Sequence, residues 1–162
     1  MLRYCFLVLA MGLCALTGSA QAPRKTAAPS SSVNAMLAYP LTSAGLDKYA
    51  QASRGMNALI AKEPGVLAKL KPSPTDAPNT IDATVSFTKQ HCPECVSMVE
   101  KSMPYRDYVL FQGSLMISYV SAIRPRTGSR VHVSPDNLKF VLANKAKIDG
   151  ILAEQRKQPG TR

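Results

Sequence analysis

Two cysteines and a histidine stand together in the stretch "KQHCPECVSMVEK", Lys89 to Lys101: His91, Cys92 and Cys95. A CxxC pair supports three kinds of chemistry. Sulfurs three residues apart at a helix start come close enough to close a disulfide, and an exported chain meets the machinery that closes them. Such a staple spans so short a loop that it stabilises by about 1 to 2 kcal/mol. If the pair stays open, the N-terminus of a helix acidifies the Cys92 thiol, and Pro93 between the cysteines is similar to thioredoxin-type redox sites. Those sites open a helix within a βαβ context, and no strands are expected here. A metal would enlist His91, Cys92 and Cys95 with Met98 or His132, as zinc or, given the methionines, as soft Cu(I). Zinc asks for four protein ligands, or three and a water, and the chain has one CxxC. A c-type haem is excluded, because its histidine must follow the second cysteine and Val96 does. The expected state is the staple, with no cofactor, no metal and no catalytic residue assigned. Ser-His-Asp spacing, a glycine-rich phosphate loop and HExxH are all missing from the sequence.

The second chemical feature is positive charge. Twenty Lys and Arg against 10 Asp and Glu give a net charge of +10, which favours acidic partners. The bases are scattered apart from "RPRTGSR", where Arg124, Arg126 and Arg130 are the anion-binding candidates. No aromatic residues interleave with them as a single-strand nucleic-acid binder requires. The expected partner is an anionic envelope component or another protein, not nucleic acid. Asp107 and Glu100 lie near helix termini, whose electrostatics account for them, and His132 reads as a solvated loop histidine.

The elements that must position these residues follow from punctuation and periodicity. "MLRYCFLVLAMGLCALTGSAQA", residues 1–22, has a basic start, an apolar run too short to span a bilayer comfortably, and small residues at Ala20 and Ala22. That is the layout of a cleaved signal peptide. Leu13 is too large to precede a lipidated Cys14. Residues 23–40, rich in Ala, Ser and Pro, read as a flexible leader. Beyond it, residues 41–157 form the expected helical domain and 158–162 a disordered tail.

Within the domain, Leu46, Tyr49, Ala50, Ser53, Met56, Asn57 and Ile60 recur at helical spacing behind a Thr42 or Ser43 cap, until Glu63-Pro64. "GVLAKLK" adds a short turn. Asn79 caps a helix with Ile81, Val85 and Thr88 facing inward. Cys92 and Pro93 end it and start the next, with Cys92 as cap and Pro93 at the first position. After Pro104, Tyr105, Tyr108, Val109, Gln112, Leu115, Met116, Tyr119, Val120 and Ile123 form a stripe on a helix apolar nearly all round, which belongs at the centre of a bundle. A basic loop follows Arg124-Pro125. Ser134-Pro135-Asp136 then starts a helix whose Leu138, Val141, Leu142, Lys145, Ile148 and Leu152 keep one face apolar to about Lys157.

"PYRDYVLFQGSLMISYV" followed by "VSPDNLKFVLANKAKIDGIL", with the earlier "LTSAGLDKYAQASRGMNALIAKEP", resembles an uncharacterised family of exported bacterial helical proteins. The resemblance implies a fold and export, and it supplies no activity and no catalytic residue. The chain departs from the family pattern in two places. Met103 stands where a serine cap is usual, and the cysteines fall in the variable middle, so Cys92 and Cys95 are peculiar to this chain.

Taken together, the sequence predicts a single all-α bundle of four to five helices behind a signal peptide and leader, with no later membrane span. The expected protein is periplasmic or secreted and non-enzymatic, a binding or envelope-associated module. The alternative is a periplasmic thiol redox or copper- or zinc-handling protein using Cys92 and Cys95.

Overall fold

Caps and prolines divide the chain as the sequence demands. In the computed structural model, which describes residues 31–73, 77–124 and 132–156, they give α1 (Ser31–Ala38), α2 (Ser43–Lys62), α3 (Val66–Lys69) and α4 (Ile81–His91). These are followed by α5 (Pro93–Glu100), α6 (Tyr105–Ile123), α7 (Pro135–Ala143) and α8 (Lys145–Arg156). The described residues form an all-α structure without strands. The Thr42 side chain accepts from the Gly45 amide at 3.0 Å and caps α2, and Glu63 before Pro64 ends it. Thr80, one residue beyond the expected Asn79, caps α4 by accepting from the Ala83 amide. Ser134 and Pro135 open α7 as expected.

Among the described residues there are eight helices, which corrects the expected four to five, for three local reasons. Firstly, the leader expected over residues 23–40 enters the described residues at Ser31, and its second half is α1, with Met36 buried. Its few large side chains suffice because α1 lies on α6 at Gly113, where an added Cβ would collide with Met36. Secondly, the residues after Pro64 make a full turn, α3. Thirdly, the single C-terminal helix is broken at Asn144, whose side-chain Nδ2 donates to the Phe140 carbonyl at 2.9 Å. That bond competes with continuation of the helix, and the Asn144 carbonyl then accepts the Ile148 amide of α8. The break turns Leu142, expected on the apolar face, out to 60 % exposure.

α6 is central, packing against α1, α2, α4, α5 and α7, while α8 closes over α2 and α7. Its buried face runs through Tyr105, Val109, Leu110, Phe111, Gly113, Ser114, Leu115 and Ser118. This face is rotated from the expected stripe: Val120 and Ile123 are exposed, and the small residues Gly113 and Ser114 are buried where neighbours approach. Fully burying side chains such as Phe111 and Leu115 stabilises by about 1.5 to 3 kcal/mol each. Aromatic rings line the centre, with Tyr49 stacked on Tyr108 at 5.2 Å and tilted against Phe111 at 5.4 Å. A second, smaller cluster gathers Leu59, Ile60, Val66, Cys92 and Cys95, with Met56, Leu67, Leu70 and Met98 against it. No helix among the described residues is long and apolar enough to cross a membrane.

Candidate functional site

The cysteine pair is built by the corner between α4 and α5. Thr88 lies in the last turn of α4, and its carbonyl accepts the Cys92 amide at 2.8 Å, closing that helix. Pro93 cannot donate an amide, so it breaks the ladder and takes the first position of the next helix. The Cys95 amide then bonds to the Cys92 carbonyl at 3.0 Å. This turn brings the two Cα atoms to 5.2 Å and the sulfurs to bonding distance, as a disulfide. Both cysteines are 0 % exposed. The pair sits in the apolar cluster with Leu59 and Ile60 of α2 and Val66 of α3. Close approach of α2 to α5 is set at Gly55, where an added Cβ would stand 3.0 Å from Met98 Sδ. At the rim, the Lys69 ammonium donates to Glu94 at 2.6 Å and ties α3 to the first turn of α5. That hydrogen bond raises the Lys69 pKa and lowers that of Glu94.

His91 does not join the cysteines. It is exposed, stacked on Phe87 with ring centroids 4.2 Å apart, and its Nδ1 lies 2.9 Å from the Phe87 carbonyl oxygen. His132 is exposed as well. Among the described residues no three His, Cys, Asp or Glu side chains converge on a metal-sized site. Met98, the other ligand candidate, packs in the cysteine cluster. Of the anion-binding candidates, Arg124 is exposed at the end of α6, where its amide donates to the Val120 carbonyl. Arg126 and Arg130 lie outside the described residues, as do residues 1–22, expected to be a signal peptide, and residues 158–162, expected to be a tail.

The structure also brings together polar residues, among them Asn137, Ser114 and Gln155, which periodicity passed over. Asn137 of α7, buried, accepts the Leu41 amide at 3.0 Å through Oδ1 and donates through Nδ2 to the Tyr39 carbonyl at 3.0 Å. The same Nδ2 lies 3.1 Å from Ser114 Oγ, which itself donates to the Tyr39 carbonyl at 2.9 Å. One asparagine thus clamps the Tyr39-Pro40-Leu41 bend between α6 and α7, and every backbone group it meets is satisfied. Gln155 does similar work on α2, donating to Tyr49 Oη at 3.1 Å and Ser53 Oγ at 3.2 Å. Tyr105, buried, donates to Thr88 Oγ1 at 3.2 Å, next to the cysteine corner. Burial raises its pKa, with the Thr88 bond a smaller opposing effect. The Tyr119 hydroxyl donates to Asp149, which also receives Lys145 at 2.6 Å.

In the C-terminal stretch the sequence signalled the Ser134 cap by residue type and Ile148 by apolar period, while Asn137 and Asn144 carried no such signal. Ser134, Asn137, Phe140, Asn144 and Ile148, all within the quoted C-terminal stretch, are respectively a cap, a clamp, a partly buried core contact, a helix break and a fully buried core residue. Comparison of the chain with known families, with characterised proteins and with solved structures gives no match.

Proposed function

We propose that this is an exported, non-enzymatic helical protein of the cell envelope that acts as a binding module, with Cys92 and Cys95 as its staple. The observation that carries this reading is the burial of the cysteine pair. A thiol–disulfide exchange partner must reach a sulfur in line, and here both sulfurs lie under apolar side chains of α2 and α3. A reactive cysteine calls for an electropositive, partly exposed setting. The buried apolar setting weighs against the redox alternative, and the exposed position of His91 weighs against the metal alternative. Export is supported by the signal-peptide layout of residues 1–22. The excess of basic residues supports an acidic partner.

The test is fractionation of the native source followed by intact-mass measurement of the purified chain. The expected result is an envelope or secreted protein that begins after Ala22, carries one disulfide and holds no covalent cofactor. A cytoplasmic chain retaining residues 1–22, with both thiols free, would overturn the reading.

A further inference from the structure

We propose that the C-terminal end of α6 docks on a bilayer of anionic phospholipid, with Val120 and Ile123 entering the headgroup layer and Arg124 pairing with phosphate. This names the partner of the binding module above and rests on that reading. Along most of its length α6 is covered by neighbouring helices, but in its last turn one side is open while Ala122 still packs against the core. Val120 is 39 % and Ile123 41 % exposed. They are three residues apart and therefore share one side of the helix, and Arg124, the exposed residue that caps the helix, follows Ile123 directly. Single exposed apolar residues are ordinary. Two of them joined to an arginine form a surface that is apolar at its centre and cationic at its edge.

Charge complementarity selects the occupant. Asp149, the carboxylate that receives Tyr119 of the same helix, is already bonded to Lys145, and Arg156 acts on it too. It is therefore poorly placed to quench Arg124. The chain carries a net charge of +10. Two apolar side chains alone hold a protein at a membrane too weakly, and electrostatic attraction alone falls away with salt. Together they describe reversible, salt-sensitive attachment to a negative interface.

The experiment is co-sedimentation of the mature chain with vesicles of phosphatidylcholine and phosphatidylglycerol in about equal parts, against phosphatidylcholine alone. Binding is expected only to the anionic vesicles, and raising salt to about 0.5 M should release it. The double variant V120Q/I123Q should bind about tenfold more weakly, and Arg124→Gln about fivefold more weakly. All three positions are exposed, so the thermal transition of each variant should stay in place. Equal binding to neutral vesicles, no binding to either, or unchanged binding by V120Q/I123Q overturns the proposal. Binding to a lipid-free acidic envelope polymer without binding to vesicles also overturns it, while leaving the binding-module reading intact. A chain found in the cytoplasm would count against that reading whatever the vesicles show.

Discussion

A disulfide shielded from water on all sides serves the fold more readily than it serves a partner, and Cys92 and Cys95 are both 0 % exposed. Closing four residues removes little chain entropy, so C92A/C95A should lower unfolding stability by about 2 kcal/mol in denaturant titration. The loss should appear as a shift in midpoint with a cooperative transition retained. Asn137, which apolar periodicity does not mark, ties α7 to the Tyr39-Pro40-Leu41 bend. Asn137→Ala leaves the Leu41 amide and part of the Tyr39 carbonyl demand unmet inside the protein. The expected cost is about 3 kcal/mol, read in the same titration. Tyr105 gives a pH test. Burial holds its folded pKa above the ordinary value near 10, so the folded state keeps a proton that the unfolded chain releases. Its contribution is therefore fully present below about pH 10 and is lost as pH rises through the raised value. Tyr39 and Tyr119 are raised in the same direction. Wild-type stability should fall as pH climbs past 10, and Tyr105→Phe should make that fall shallower.

Helix by helix, the chain obeys its local signals where a side chain or proline dictates the backbone, and departs from them where packing decides. Thr42, Pro93 and Ser134-Pro135 were legible because capping and the missing proline amide act within a turn. The closing of Cys92 and Cys95 was legible for the same reason, since the CxxC and the proline between them lie in one local turn. α1 was not legible. Its residues follow an Ala-, Ser- and Pro-rich stretch, and its place in the fold is set at a distance, by Met36 meeting Gly113 and by Asn137 and Ser114 binding the Tyr39 carbonyl just after it. The helix break at Asn144 was hidden in an unbroken apolar period, because a side-chain bond to the Phe140 carbonyl leaves no trace in hydropathy. The exposure of Val120 and Ile123 was equally invisible, since periodicity marks a face but not how far its cover extends. If α1 docks through the small residue of α6, Gly113→Val should push Met36 away. Amide exchange in Ser31–Ala38 should then rise well above wild type, while exchange in α2 and α6 changes far less. Unchanged protection of α1 would show that Met36 can yield without loss.

The molecule as one object has a main core around α6 and a smaller cluster that holds the cysteine corner against α2 and α3. α2 contributes to both, so the two clusters should melt together in a single transition. This coupling is what keeps the sulfurs out of reach: the corner opens only when α2 and α3 release it. Trapping of Cys92 and Cys95 with iodoacetamide in mild dithiothreitol, counted by mass on the folded and the denatured chain, puts that to the test. The expected outcome is no alkylation of the folded chain and two adducts once denaturant is added. Two adducts on the folded chain, gained as fast as in denaturant, would show an accessible, cycling dithiol and remove the staple from the account.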